Sequence, residues 1–416
     1  MVRLISYWVV GNLWVFIIAF NNVHAQSNAL DLEGCRQAVV QTLTHNLPME
    51  TPDPAPPLWV WDPLTGAYKV QVFISGSVYL EWSSLRDFRL GLEPQIKPLE
   101  LFYSNGLPIG ANGIPPAWDA RAFQILRNGR PAQTIHLAGA MSRSPDGQLP
   151  RGWEDNADRR VYLFVNGKQV PLPLTGDSPY GWLGHNYGGN LIQKGESSNT
   201  IDLDSKEPIY LFSERVTEVR DGKPYLTEMV SVRLKPIFDQ KNEFVAFASE
   251  GEMKPLLKKD SAFYEASKRD AKIGGYLVEG PRPVEVMVEG ERYFVVGFSS
   301  SEYSSDSYRA HFAFSKNIEG PYQVIREVSG AYKDFGRTMK EGGASWVGRP
   351  VLYQDIETGK WAMMWHQVDR AKYPGHDFSR VPDGQFLRVE DFRRYLKRAM
   401  GIQFVLTENG LEIIGF

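Results

Sequence analysis

The sequence has one cysteine, Cys35, among 416 residues, so its fold cannot depend on an internal disulfide bond. Its seven histidines show no His-Glu-x-x-His or comparable spacing, which argues against zinc. It also lacks a Gly-x-Ser-x-Gly nucleophile motif and a phosphate-binding glycine loop with its lysine. The net charge is -3 and no run of basic residues interleaved with aromatics occurs, so we expect no nucleic-acid partner.

The first 25 residues have the pattern of a secretory signal peptide. Arg3 supplies the positive start, an apolar stretch runs from Ile5 to Phe20, and Val23-His24-Ala25 provides a small-residue cleavage site. The apolar stretch is shorter than the roughly 20 residues that a membrane-spanning helix needs. We therefore expect a secreted or periplasmic protein with no stable membrane insertion after cleavage.

The rest of the chain divides into a short lead-in segment, residues 26–52, and one domain, residues 53–416. The lead-in holds an amphipathic piece from Arg36 to His45 and a proline-rich stretch after it. A hydrophobic content of 43% is enough for a large core in the remainder. Near the end, Leu387 to Met400 is charged with apolar residues at helical spacing, which predicts a helix on the outside.

The stretch that begins at Glu279 has the period of two that is typical of antiparallel strands. Its first strand places Val284, Val286 and Val288 on one face, and Gly290 then breaks the run. Two further aromatic-rich strands follow, one after this short glycine-containing turn and one after a serine-rich loop. The stretch therefore predicts a sheet of antiparallel strands.

Similar strand units recur along the chain, separated by polar, glycine- and proline-rich loops. They predict an all-β fold, a five-bladed β-propeller, with a two-sheet jelly-roll sandwich as the structural alternative. The sandwich would not explain why acidic residues recur where the units begin, at Asp53, Asp119, Asp202 and Glu279. Because the innermost strands of a propeller start at the mouth of its central channel, we expect these carboxylates to converge.

Several motifs resemble those of the five-bladed propeller enzymes of glycoside hydrolase family 43. The most specific is Glu279-Gly280-Pro281 opening a strand, with Glu319-Gly320-Pro321-Tyr322 closing the unit. Val78 to Phe88 resembles the first-blade element of the family, and Lys360 to His366 its late aromatic strand. The closing segment Arg398 to Phe404 resembles its last strand pair. The resemblance spans residues 53–416 and implies a glycosidase.

The resemblance also implies three catalytic carboxylates, which are in chain order a base, a modulator of the acid, and the acid. Glu279 matches the acid. Asp202 matches the modulator, with Asp204 as the neighbouring alternative. Asp53 is the candidate base and Asp62 its competitor, although an Asp inside an Asp-Pro-x-x-Gly sequence is typical of a turn.

The resemblance further implies substrate contacts at Trp118, Asp119 and His366. In the family a histidine near the channel centre stands in a Gly-His-Gly-Ser stretch, and here residues 341–345 read Glu-Gly-Gly-Ala-Ser. That departure argues against a calcium ion in the channel, with His366 and His376 as the only nearby substitutes. We therefore expect no cofactor.

These observations predict an inverting glycosidase that acts on arabinose-, xylose- or galactose-containing polysaccharides or oligosaccharides. One carboxyl group protonates the leaving oxygen while an ionised one activates water. The alternative is a non-catalytic carbohydrate-binding propeller, favoured by the departures at Leu203 and Gly343-Ala344. Invertase-like and sialidase-like propellers are less well supported, since the sequence has neither an Arg-Asp-Pro motif nor repeated Asp-boxes. Exo or endo action and the oligomeric state are not defined by the sequence.

Overall fold

The structure is a computed structural model, and the residues it describes from Val40 to Ile414 belong to one unit. The described residues are 40–43, 54–74, 78–104, 106, 108–109, 118–141, 159–170, 172, 189–196, 199–220, 223–257, 278–300, 308–325, 344–369, 394–408 and 410–415. They form 23 strands and one helix, α1 (Leu85–Leu90). None of the helices in these ranges has the length and apolar character that crossing a membrane requires.

Five sheets form the five blades of a β-propeller, which confirms the predicted fold class. Blade 1 contains β2 (Leu58–Asp62), β3 (Ala67–Phe73), β4 (Val78–Trp82) and β5 (Gln95–Pro98). Blade 2 contains β6 (Trp118–Arg127), β7 (Arg130–Met141), β8 (Arg159–Val165), β9 (Lys168–Val170) and β11 (Thr200–Asp202), which pairs parallel to β6. Blade 3 contains β10 (Asn190–Gln193), β12 (Ile209–Arg220), β13 (Lys223–Phe238), β14 (Phe244–Ser249) and β15 (Lys254–Pro255).

Blade 4 is the unit that the sequence predicted from Glu279 onward, and blade 5 combines late strands of the chain with one early strand. Blade 4 contains β16 (Val278–Val288), β17 (Glu291–Ser300), β18 (Arg309–Ser315) and β19 (Gln323–Val324). Blade 5 contains β20 (Ala344–Gln354), β21 (Trp361–Asp369), β22 (Arg394–Thr407), β1 (Val40–Thr42) and β23 (Gly410–Ile414). Because β1 pairs with β22, a strand from near the start of the chain completes the last blade.

The hydrophobic core lies between neighbouring blades rather than at a single centre. Five clusters of buried residues each combine side chains from two adjacent blades, including one that joins blade 5 back to blade 1. In that last cluster Trp82 of blade 1 and Met364 of blade 5 are fully buried. Burial of such large apolar side chains is the main stabilising contribution. The five clusters therefore close the ring of blades.

Two predictions about local structure are corrected. The predicted helix from Leu387 to Met400 is wrong over its described part, because residues 394–400 belong to β22. Lys397 and Arg398 are buried there, and Arg398 lies over the ring of Phe88 at 4.4 Å, so these charged residues face neighbours and not solvent. The strand β1 also lies inside the predicted lead-in, so the propeller includes residues before position 53. Residues 1–25, the predicted signal peptide, lie outside the described residues.

Backbone bulges mark the first residues of three innermost strands. The register shifts between Trp118 and Arg121 in β6, between Glu279 and Arg282 in β16, and around Gly348 in β20. A residue with left-handed backbone stands at each bulge: Asp119 (φ 53), Gly280 (φ 65) and Arg349 (φ 53). Bulges bend a strand and redirect its side chains. Together they turn polar side chains toward one another at one mouth of the channel.

Candidate active site

This mouth, here named the proximal mouth and defined by Asp119, Glu279 and Arg349, centres on the carboxylate of Asp119. Its Oδ1 accepts hydrogen bonds from Arg121 Nη2 at 3.2 Å and Arg282 Nη2 at 3.3 Å, and its Oδ2 from Arg349 Nη1 at 2.9 Å. All four side chains are buried. Buried charges are tolerated when they are paired in this way. Asp119 therefore connects blades 2, 4 and 5.

Glu279 lies beside this group, and 6% of the residue is exposed to solvent. Its Oε1 accepts a hydrogen bond from the Tyr308 hydroxyl at 2.7 Å, and its Oε2 is 3.4 Å from Arg349 Nη2. The position of Tyr308 depends on Gly348, because a Cβ on Gly348 would lie 1.9 Å from the Tyr308 ring. The carboxylate of Glu279 is thus oriented by contacts from blades 4 and 5.

A second glutamate, Glu214 in β12, stands behind Glu279 and is completely buried. Its Oε1 accepts a hydrogen bond from the backbone N–H of Gly280, and its Oε2 has no hydrogen-bond partner among the described residues. Burial raises the pKa of Glu214 well above its usual value, Arg349 opposes that shift, and the neighbouring Glu279 adds to it. Glu214 therefore favours its protonated form beside Glu279.

Asn190 stands beside Glu214 on the same face of blade 3. It pairs with Phe212 in the antiparallel register of β10 and β12, and Glu214 is two residues further along that strand. Diagonal neighbours of this kind have Cα atoms roughly 7–8 Å apart. Asn190 is fully buried, and within the described ranges both polar atoms of its side chain lack hydrogen-bond partners. Together with Glu214 Oε2, these atoms are three buried polar atoms that no described residue satisfies.

The chain at the start of blade 1 passes along the same group. The carbonyl oxygen of Pro54 accepts hydrogen bonds from Arg282 Nε at 3.2 Å and Arg121 Nη1 at 3.5 Å. Asp53, the candidate base, precedes Pro54 and lies outside the described residues. Pro54, the residue after Asp53, is therefore in contact with two of the three arginines that hold Asp119, namely Arg121 and Arg282.

The other candidate carboxylates lie elsewhere. Asp62 ends β2 in the hairpin turn, where its Oδ1 accepts from the N–H of Leu64 at 2.9 Å and its Oδ2 pairs with Lys69 at 2.9 Å. Asp202 is opposite Leu126 on β6, seven residues beyond Asp119, or about 23 Å along a strand. Asp204, the alternative to Asp202, pairs with Arg127 at 3.3 Å at that same end. The structure does not bring these three together with Glu279.

The three residues that were expected to contact substrate, Trp118, Asp119 and His366, lie at different places in the fold. Asp119 is at the centre of the proximal mouth, and Trp118 precedes it as the first residue of β6. His366 is fully buried in β21, where its ring stacks on Tyr308 with the centroids 6.0 Å apart. One of its contacts with the site is therefore through Tyr308. His376 lies outside the described residues.

The sequence did not single out Glu214, Arg349 or Tyr308 as parts of the site. One signal for Glu214 exists, because Ser213-Glu214-Arg215 directly follows the apolar run Ile209 to Phe212 within one strand. A signal for the arginines is the repeated Arg-Pro-Val at residues 282–284 and 349–351. Within the described ranges, no group of three or more His, Cys, Asp or Glu side chains could hold a metal ion.

Comparisons with known proteins relate this geometry to one enzyme fold. No protein-family model and no curated protein matches the chain. A thermostable family-43 glycoside hydrolase has a similar structure, with a TM-score of 0.50 and 13% identity over 88% of this chain and 94% of that one. The xylan β-1,4-xylosidase of Bacillus halodurans C-125 matches with a TM-score of 0.48 and 13% identity over 89% and 56% of the two chains. The α-L-arabinofuranosidase of Lactobacillus brevis matches with 0.48 and 9% over 88% and 94%.

At 13% identity, the likeness to the family-43 enzyme is a likeness of fold. It agrees with the five blades and with the motif resemblance at Glu279-Gly280-Pro281. The chemistry of this chain follows from its own residues. Two carboxyl groups lie near each other at this mouth, and a tyrosine and an arginine orient the more exposed of them, Glu279.

Proposed function

We propose that this chain is a secreted glycoside hydrolase that cleaves arabinose-, xylose- or galactose-containing polysaccharides or oligosaccharides with inversion. The observation that carries the proposal is the proximity of two glutamates at the mouth where three innermost strands begin, since Glu214 accepts a hydrogen bond from the backbone N–H of Gly280, the residue after Glu279. Two carboxyl groups with different affinities for protons are what acid–base catalysis of glycoside cleavage requires.

Glu279 is the acid in this proposal, and Glu214 takes the modulating role that was first assigned to Asp202. Glu279 is the member of the pair that reaches the surface, with 6% of the residue exposed, whereas Glu214 is sealed behind it. Like charges in close proximity raise one pKa of the pair. Repulsion between two ionised carboxylates favours one proton on the pair, and we assign its donation to the leaving oxygen to Glu279, the member with surface exposure.

Asp53 remains the proposed base. Inversion places a water molecule between the base and the sugar, so the two carboxyl groups should stand roughly 6.5–9.5 Å apart. The contact of Pro54 with Arg282 supports this assignment, because Arg282 also holds Asp119 beside Glu279. Asp62 is less suited to be the base, since its carboxylate already stabilises the hairpin turn.

The test is to follow hydrolysis of arabinan, xylan, arabinoxylan and galactan by proton NMR from the first minutes. We expect release of a sugar whose new anomeric centre has the opposite configuration to the substrate bond. Glu279→Gln should abolish release, whereas Glu243→Gln, a change at an exposed turn, should leave it intact. A first product with retained configuration would contradict inversion, and absence of hydrolysis of every polymer would contradict the enzyme.

A second candidate function, carbohydrate binding without turnover, is favoured by one observation. Glu279 is held by Arg349 and Tyr308 and the carboxyl group behind it is fully buried, an arrangement that can exchange hydrogen bonds with sugar hydroxyl groups without transferring a proton. If the same polymers bind in calorimetry with a Kd that Glu279→Gln does not change, and no sugar is released, this function is the better description.

A further inference from the structure

A cavity of about 470 Å³ lies at the opposite end of the same innermost strands. We name it the distal cavity; the residues that define it here are Trp59, Gln124, Glu196, Glu285, Gln354 and Trp361. On β6 and β20 the cavity residue comes five positions after the proximal residue, Asp119 or Arg349, which is roughly 16 Å of strand. The cavity is therefore separate from the candidate active site, and its volume is within the range of small-ligand sites.

Aromatic and apolar side chains form much of the wall of this cavity. Trp59 and Trp361 are partly buried, and each packs against an aromatic neighbour on the core side, Phe88 and Phe404 respectively. At the rim Met287 is 59% exposed and Ile356 is 45% exposed. Large apolar side chains that stay exposed around a concave site are typical of ligand binding.

The wall formed by residues 193–196 and 199–202 is held in place without a ligand. The N–H of Gly195 donates to Glu285 Oε2 at 2.8 Å, which attaches this segment to blade 4. The Asn199 amide donates to the carbonyl oxygens of Pro56 and Pro57 at 2.9 and 2.7 Å, which attaches it to blade 1. Gln193 accepts from the N–H of Asp202 at 2.7 Å within the segment. A preformed wall lowers the entropic cost of binding.

One carboxyl group in the cavity is open for a ligand. Glu285 is already neutralised by Arg292 at 2.8 Å, whereas the Glu196 carboxyl makes no hydrogen bond or ion pair with the described residues. Burial raises the pKa of Glu196, and the neighbouring Asp202 and Glu285 add to that shift. A carboxyl group with no partner among the described residues is suited to exchanging hydrogen bonds with hydroxyl groups.

We propose that the distal cavity is a second carbohydrate-binding site, without catalysis, for an uncharged oligosaccharide. A sugar ring lies against the face of Trp361 or Trp59 through its C–H surface, and Glu196 and Gln124 exchange hydrogen bonds with its hydroxyl groups. The site does not depend on hydrolysis at the proximal mouth. A polymer held there would remain near the protein between successive encounters with that mouth.

The test measures binding of xylohexaose, arabinohexaose and galactohexaose to the full chain carrying Glu279→Gln, by calorimetry and tryptophan fluorescence. We expect at least one hexaose to bind with a Kd that rises about tenfold on Trp361→Ala, the ratio that corresponds to about 1.4 kcal/mol. Glu196→Ala changes a partly exposed side chain and should weaken the same binding. This variant provides the test if Trp361→Ala impairs folding. Neither change should alter hydrolysis of a small aryl glycoside by the protein with intact Glu279.

Two controls make the outcome decisive. Trp61→Ala removes a 52% exposed tryptophan from the same strand as Trp59 but outside the cavity, and it should leave the Kd unchanged. Tyr308→Phe alters the proximal mouth and should also leave it unchanged. If the native chain hydrolyses none of the substrates but hexaose binding is weakened by Trp361→Ala, the distal site is supported and only the proposed glycosidase activity is contradicted. No binding of any hexaose, or equal losses with Trp61→Ala, would overturn the site.

Discussion

The two ends of the channel are built on the same innermost strands and yet differ in almost every physical property. At the proximal mouth three arginines and three carboxyl groups are buried against one another, with positive-φ residues at Asp119 and Arg349. At the distal cavity aromatic rings line the wall, and the Glu196 carboxyl has no partner among the described residues. The bulges at the strand starts bring charged side chains together, whereas the other end of the strands presents a mainly aromatic and amide-lined surface for a ligand.

The largest expected difference concerns the buried charges. Asp119→Asn should lower the free energy of unfolding by about 3–5 kcal/mol, because it leaves Arg121, Arg282 and Arg349 with one negative partner fewer inside the protein. Glu285→Gln at the distal cavity should cost less than about 1 kcal/mol, because Arg292 is 40% exposed and the pair is solvent-screened. Urea denaturation of both variants measures the difference. Equal losses would show that Asp119 does not hold the blades together.

A smaller difference is expected for two glycines of the same hairpin. Both have left-handed backbone, with φ 65 at Gly280 and φ 80 at Gly290, so an alanine costs about 1–2 kcal/mol at either position. At Gly280 the new Cβ would also lie 2.0 Å from Arg349 Nη1, whereas nothing is within 4 Å at Gly290. Gly280→Ala should therefore cost a further 1–3 kcal/mol in thermal denaturation and should reduce activity. Equal stability of the two variants would contradict the close packing of the arginines.

The third difference is in pH dependence. The pKa of Glu214 is raised above the roughly 4.3 of an unfolded glutamate, so its contribution to stability is fully present below that value and is lost as pH rises toward the folded pKa. Glu214→Gln removes this loss. The stability of the variant relative to the native chain should thus increase with pH, by at most about 1.4 kcal/mol per pH unit. Glu243→Gln is the exposed control and should show no such trend, and a flat difference for Glu214→Gln would contradict the raised pKa.

Much of the fold was predictable because its signals are local. Period-two alternation at Val284, Val286 and Val288, ended by Gly290, is enough to define a strand and its turn. The strand at residues 394–407 was not predictable in this way, because Lys397 and Arg398 resemble the exposed face of a helix. Their partners, Asp369 and the ring of Phe88, are brought to them only by the folded chain.

The candidate site was less predictable than the fold for a related reason. Glu279 stands at the start of an innermost strand, and its position could be inferred from its motif. Asp202 has a similar pattern, yet its strand is added to blade 2 at the end far from Asp119. Glu214 lies within β12 of blade 3, and only the packing of blade 3 against blade 4 brings it to Gly280. No spacing in the sequence encodes that contact.

The most direct measurement of the central claim compares leaving groups in the native chain and in Glu279→Gln. The variant keeps the shape of the side chain and removes the proton, so kcat/KM should fall by roughly 10²-fold or more on a glycoside with a poor leaving group. A nitrophenyl glycoside, which needs little protonation to leave, should lose much less. Equal losses on both substrates would contradict the assignment of Glu279 as the acid and of the proximal mouth as the active site.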